Sequence, residues 1–312
     1  MGISHYLKEI GRGKDGARAL SREAANDLLG QVLDGQVSDL ELGAFCIAMR
    51  VKGETPEEMA GFLDAVHARL PAHATGSTPT VILPCYNGAR KLPALATLLA
   101  LLLARRGLRV LIHGQQVDPG RVTTSEVLST LAQQGALPNP FLSSLVDLPD
   151  QAGVWFLPTA GLLPALQKLL DVRRVVGLRN SAHSLVKLLN PCTGPSLLVS
   201  SYTHPEYLHS MSAVLRLTGT HALLLRGTEG EPVADPRRTP QLDLFSEGEC
   251  RTVEPQQAGS LASLPDLPPG QDREATAQYI TQVLRGERAL PDPIAAQVRH
   301  IEAALASLAQ PA

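Results

Sequence analysis

The spacing of apolar and polar positions changes character once along the chain. From residue 3 to 70, apolar positions recur at helical spacing between short polar breaks. Ser4 to Ile10 starts a first helix, which Gly11 and Gly13 end. Ser21 is placed to cap a second helix, Arg22 to Asp34, stopped by Gly35. Ser38 or Asp39 caps a third, with Leu42, Phe45, Ile47 and Met49 among its apolar positions and Gly53 as its break. Thr55-Pro56-Glu57-Glu58 opens a fourth that runs to about Leu70: a cap, a proline in the first turn, then acids facing the helix dipole. Residues 71–79, PAHATGSTP, are small and polar and read as a hinge.

Beyond the hinge, short apolar runs alternate with longer helical ones. Strands are expected at Val81–Leu83, Arg109–His113, Val154–Leu157, Leu197–Ser200 and His221–Arg226. Helices are expected at Leu92–Arg106, Ser125–Gln134, Pro164–Leu170, Leu178–Leu189 and Pro205–Thr218. Residues 228–270 are rich in Pro, Glu and Gly and hold one hairpin, Gln241–Phe245 with Glu249–Val253; helices at 273–285 and 293–309 close the chain. The alternation predicts an α/β fold with a mostly parallel sheet covered on both faces. A small all-helical domain (1–70) is thus expected to hinge (71–79) on a larger α/β domain (80–312), with part of 160–190 packing back on the helices.

The length, 312 residues, suits two domains. No apolar run has transmembrane length, and MGISHYLKEIGRGK reads as an amphipathic helix start, not a secretory signal. Tyr6 stands where a myristoylation site needs Ser or Thr. Cys46, Cys85, Cys192 and Cys250 form no C-x-x-C pair, so neither a metal site nor a disulfide framework is signalled and a reducing cytoplasm is expected. Charge alters the picture more. The formal net charge of −2 excludes a wholly basic nucleic-acid binder, yet residues 84–126 hold 6 Lys and Arg against 2 acids, and residues 159–227 hold 7 against 2. Cations gathered in mid-chain can build one basic face on an otherwise acidic protein, if the fold brings them together.

One stretch carries candidate chemistry. Val81 to Lys91, VILPCYNGARK, reads as a buried strand, a turn at Pro84, Asn87 and Gly88, and two cations, Arg90 and Lys91, before a long helix. Free amides at a helix start hold anions, so a phosphate is expected there; an ordinary strand–helix turn uses the same residue types.

Residues 37–66 resemble the helical domain of the anthranilate phosphoribosyltransferase and pyrimidine nucleoside phosphorylase superfamily, glycosyltransferase family 3. Lys52-Gly53-Glu54-Thr55 matches its KGET segment, and Gly177-Leu178-Arg179 through Asn190-Pro191 resembles its central G-x-R-T segment. The resemblance implies a cleft between the two domains and a dimer formed through the helical one. It also implies phosphate or ligand contacts at Tyr86, Asn87, Gly88, Arg90 and Lys91, at His113 and Gly114, at Thr123, Thr124 and Ser125, and at Arg179, the substrate arginine. Several positions depart from the family pattern. The G-T-G-G-D phosphate loop is Pro84 to Ala89 here, the second loop's lysine is Ile112, and the Asp-Glu magnesium ligands are Pro232-Val233. Glu229 and Glu231 stand nearby as replacement ligands, and the central segment has Ala182-His183 for F-N and Lys187 for a proline.

The Y-N-G-A-R-K loop and the R-G-T-E-G-E-P segment resemble the YbiB-type branch, which the resemblance credits with nucleic-acid binding without sequence preference. Expected partners are therefore DNA or RNA, a phosphate or phosphorylated small molecule in the cleft, and a second copy of the chain, with no membrane. Candidate nucleic-acid contacts are Arg90, Lys91, Arg105, Arg106, Lys168, Arg173, Arg174 and Lys187. The pairs Arg173-Arg174 and Arg237-Arg238 also suit phosphate by fork geometry. No cofactor is expected; magnesium enters only if the chain is an active phosphoribosyl or glycosyl transferase. A nucleotide or base sensor using the same cleft is the remaining alternative, and no catalytic residue is assigned.

Overall fold

Side-chain caps set the N-terminal helices. The computed structural model describes residues 2–13, 15–71, 78–261 and 264–308. Helix α1 is Ser4–Ile10, α2 Arg22–Leu33, α3 Asp39–Lys52 and α4 Pro56–His67. Ser21, Ser38 and Thr55 each accept from an amide of the following turn, and Glu41 and Glu58 complete capping boxes on α3 and α4. Of the expected hinge, residues 72–77 lie outside the described residues.

The larger region follows with β1 Thr80–Cys85, α5 Ala96–Arg105, β2 Arg109–Gly114, α6 Thr124–Gln133, β3 Gly153–Pro158, α7 Thr159–Leu162, α8 Pro164–Val176 and α9 Ala182–Leu188. Then come β4 Ser196–Tyr202, α10 Pro205–Thr218, β5 Ala222–Arg226, β6 Leu242–Ser246, β7 Glu249–Glu254, α11 Arg273–Leu284 and α12 Asp292–Leu308. The strands form one sheet in the order β3-β2-β1-β4-β5-β6-β7, parallel from β3 to β5, with the β6–β7 hairpin antiparallel at its edge.

The sheet divides the interior. On one face Val81, Leu83, Val110, Ile112, Val199 and Leu223 pack with α5, α6, α11 and α12. On the other, Ile82, Leu111, Leu157, Leu198 and Leu224 join the core of α1–α4 through Leu166, Leu169, Leu185 and Val186 of α8 and α9. The helical domain is therefore joined to one sheet face through α8, α9 and, most extensively, α10 against α4. Among the described residues no helix is long and apolar enough to cross a membrane.

Several element boundaries differ from the sequence expectation. Helix α5 starts at Ala96, not Leu92, because Pro93 pushes the residue before it out of the helical region. Helix α8 continues to Val176, where Gly177 takes the left-handed cap (φ 77°), so α9 starts late, at Ala182. Helix α4 ends at His67, three residues before Leu70.

Candidate ligand cleft and cation cluster

The chain leaves β1 toward β2 and β3 on one side and returns as β4 and β5 on the other. Strand order thus reverses between β1 and β4, and in open α/β sheets ligands bind at the carboxyl ends of the strands flanking that point. Two loops meet there: residues 86–95 after β1 and residues 227–233 after β5.

They meet through carboxylates. Glu231 Oε1 accepts the amides of Asn87 (2.6 Å) and Gly88 (2.9 Å), and Oε2 faces Thr124 Oγ1 at 3.5 Å. Glu229 accepts the amides of Arg90 (2.5 Å, Oε2) and Lys91 (2.7 Å, Oε1), with the Arg121 guanidinium 3.8 Å away. The expected phosphate-facing amides therefore already hold anions from their own chain. Because α5 starts only at Ala96, Arg90 and Lys91 do not stand at a helix N-terminus; their side chains are exposed at the cleft rim.

Burial removes several other expected ligands. His113 is fully buried; its Nε2 faces the Leu189 carbonyl (3.1 Å) and its Nδ1 the Tyr86 hydroxyl (2.9 Å). A carbonyl only accepts, so Nε2 carries the proton and Nδ1 accepts from Tyr86. Burial pushes the imidazole down to about 4, so it is neutral at physiological pH, and Tyr86 spends its hydroxyl on it. Gly114 is a packing residue: a Cβ there would lie 1.8 Å from the Cys85 carbonyl oxygen. Thr123 caps α6 with Glu126, and Thr124 and Ser125 are buried in its first turn.

Lys187, expected on a nucleic-acid surface, is buried. Its Nζ donates to the carbonyls of Gly230 (2.9 Å) and Ser201 (3.3 Å), and desolvation lowers its pKa to about 8. Arg105 donates to the Leu284 carbonyl, and Arg106 approaches Glu302 at 3.9 Å. Arg174 pairs with Asp171 (3.2 Å), and Arg237 grips Asp235 through two nitrogens (2.9 and 2.7 Å). These four are spoken for, whereas Lys168 and Arg173 are exposed and make no hydrogen bond or ion pair among the described residues.

A cavity of about 540 Å³ opens between α3, α9 and the start of α10, lined by Arg50, Glu54, Arg179, His183, His204 and Tyr207. Arg179 makes no hydrogen bond or ion pair among the described residues. Its pKa is lowered first by burial and then by the charges of Arg173 and Arg121. His183 is pushed down to about 4 by burial and then by Arg179, with Arg173 and Arg50 adding to the effect. Cations from the helical domain (Arg50), the β2–α6 loop (Arg121) and the end of α8 (Arg173) thus gather around Arg179 and His183. Of the four arginines only Arg121 has an ion pair among the described residues, with Glu229 at 3.8 Å; Glu54, which accepts from Ser181 Oγ (2.5 Å), and Glu206 line the same cavity. Arg50 and Arg121 were not among the candidate contacts, since neither belongs to an arginine pair or to a family motif.

The residues named as replacement magnesium ligands, Glu229 and Glu231, are both engaged by backbone amides. Both candidate carboxylates aim at amide protons, which repel a cation, and no group of three or more His, Cys, Asp or Glu among the described residues could hold a metal.

Comparison with known proteins places this cleft in a family. Residues 4–69 match the helical bundle domain of the glycosyl transferase family. The uncharacterized protein YbiB of Escherichia coli is 39% identical over 96% of this chain and 92% of its own length. The anthranilate phosphoribosyltransferase of Myxococcus xanthus is 28% identical over 88% of this chain and 81% of its own. The crystal structure of the Thermus thermophilus anthranilate phosphoribosyltransferase superposes over 97% of this chain and 91% of that one, with a TM-score of 0.72 at 21% identity. The chain belongs to the anthranilate phosphoribosyltransferase-like glycosyl transferase family.

Proposed function

We propose that the protein is a homodimeric, sequence-neutral nucleic-acid binder in which the transferase chemistry of the family has been lost, and that it works in the cytoplasm without magnesium or another cofactor. The observation that carries this reading is the gathering of Arg50, Arg173 and Arg179 beside the cleft, none of which makes an ion pair among the described residues. Clustered guanidinium groups without carboxylate partners are stabilised by an external anion, and a phosphate backbone supplies a row of them. Lys168, Arg90 and Lys91 extend the basic surface, the last two touching phosphate through their side chains, since their amides are engaged.

Helix α3 supports the dimer. Leu40 (85% exposed), Ile47 and Val51 (69% exposed) lie along one side of it. At positions i, i+7 and i+11 they form an apolar stripe on the helical domain, whose burial against a second copy would be favourable.

Fluorescence anisotropy of labelled duplexes and single strands tests the reading. Binding is expected to saturate at micromolar protein in low salt, to be indifferent to sequence, and to weaken steeply with salt. With about six phosphate contacts on duplex DNA, log Kd should change with log salt at a slope near 5 in magnitude. A single preferred sequence, or no saturable binding to any strand, contradicts it. Alongside, no phosphoribosyl transfer to anthranilate is expected with excess magnesium; turnover at even roughly 1 per second would be ordinary enzyme behaviour and would refute the lost chemistry.

A second reading rests on Arg179, which lines the cavity without a hydrogen-bond or ion-pair partner among the described residues: the cleft holds a small anion such as a nucleotide. Calorimetric titration with nucleoside monophosphates separates it, because saturable one-to-one binding without nucleic-acid binding favours a sensor.

A further inference from the structure

We infer that Glu229 and Glu231 are a built-in anionic ligand: their carboxylates fill the amide cradle after β1 and exclude free phosphate and diphosphate from it. The amides of Asn87, Gly88, Arg90 and Lys91 converge where the sheet's strand order reverses, with Gly88 in the left-handed region (φ 67°). Successive amides turned to one point make an anion-binding concavity. Here each carboxylate takes two of them, as the oxygens of two adjacent phosphates would.

The acidic loop is held in a conformation that serves this contact. Glu229 has φ 53°, uncommon for a residue with a Cβ, and Gly230 has φ 86°. A Cβ at Gly230 would lie 1.9 Å from Asn87 Nδ2, so only glycine fits. Three side chains fasten the turn: Asn87 donates to the Glu229 carbonyl (3.1 Å), and Lys187 and Ser201 donate to the Gly230 carbonyl (both 2.9 Å). Strained backbone persists where its surroundings over-determine it, and here they aim both carboxylates into the neighbouring loop. The two acids differ in depth. Glu231 is buried, while the Glu229 side chain is 17% exposed at the rim. A diphosphate arriving from solvent would have to expel both and would meet their negative charge.

The test is calorimetry with inorganic pyrophosphate, free of divalent cations, on the full chain and on E229A, E231A and the double variant. The parent protein is expected to show no saturable binding at millimolar pyrophosphate. The double variant is expected to bind at least about tenfold tighter, because vacated amides form charge-assisted hydrogen bonds to the anion, and its thermal midpoint should rise with pyrophosphate concentration. Equal binding by parent and variant, or a folded double variant that ignores pyrophosphate, overturns the inference. Should the double variant fail to fold, E229A frees only the rim amides of Arg90 and Lys91 and permits the same comparison. Amide hydrogen exchange in the parent gives a second readout. Slow exchange at Asn87, Gly88, Arg90 and Lys91, unmoved by pyrophosphate, supports the built-in ligand; fast exchange that pyrophosphate slows refutes it. Nucleic-acid titration of the same variants is read separately, so failure of the DNA-binding proposal does not decide this one.

Discussion

Replacing Glu58 by alanine should lower the unfolding free energy by about 3–5 kcal/mol, the usual cost of leaving buried partners of a charge unpaired. Glu58, in the first turn of α4, is fully buried. Its carboxylate accepts the amides of Leu20 (2.8 Å) and Thr55 (2.9 Å) and the ammonium of Lys52 (2.6 Å), whose side chain is only 9% exposed. Alanine strands two amides and a nearly buried cation in the core of the helical domain. Urea unfolding followed by circular dichroism measures the loss; a change under about 1 kcal/mol would show that water satisfies the abandoned groups. A K52M/E58L double variant should recover part of the loss, because replacing a whole buried pair by apolar groups is less damaging than removing one partner.

This knot also explains why the helical domain was legible in the sequence. In Lys52-Gly53-Glu54-Thr55, the family segment, two residues have local tasks and a third reaches across the domains. Lys52 pairs with Glu58, Thr55 caps α4, and Glu54 receives Ser181 from the larger domain. Caps and boxes span three or four residues, so Ser21, Ser38 and Thr55 could be read directly. The alternation of strands and helices was equally visible, and α10 begins and ends where Pro205 and the run before Gly219 put it. The cleft was not, because its decisive contacts are long-range. Glu231 lies 144 positions from Asn87, and only the β1–β4–β5 pairing brings their loops together. Glu229 and Glu231 looked like replacement metal ligands because sequence shows a carboxylate but not the amides it faces. Lys187 looked like a surface cation for a similar reason: periodicity does not show that α9 turns it under the Gly230 carbonyl.

The R173E/R179E double variant should weaken nucleic-acid binding at 0.1 M salt by at least about tenfold for every sequence alike, and should lower the magnitude of the salt slope by about 2 as two phosphate contacts are lost. Both arginines lack a carboxylate partner among the described residues, and Arg173 repels Arg179, so both gain when a phosphate enters. Reversal turns that gain into repulsion. Arg174 is the internal comparison: it already pairs with Asp171, so R174E alone should matter less than R173E alone. Arg251, on the outer strand β7, and Arg285, at the C-cap of α11, provide a matched double reversal, R251E/R285E, with the same change in net charge. If that control weakens binding equally, overall charge governs association and the cluster has no special place. Arg173 stands in the last turn of α8, where a cation favours the helix dipole, so its reversal carries a stability cost of about 0.3–1 kcal/mol. Thermal melts must therefore accompany the titrations, and R173Q, which removes charge without adding repulsion, should fall between the parent and R173E. Unchanged affinity and slope in R173E/R179E, with loss on reversing Arg90 and Lys91 instead, would move the phosphate track from the cation cluster to the rim of the cleft, where those two side chains project from a loop whose amides the acidic turn already occupies.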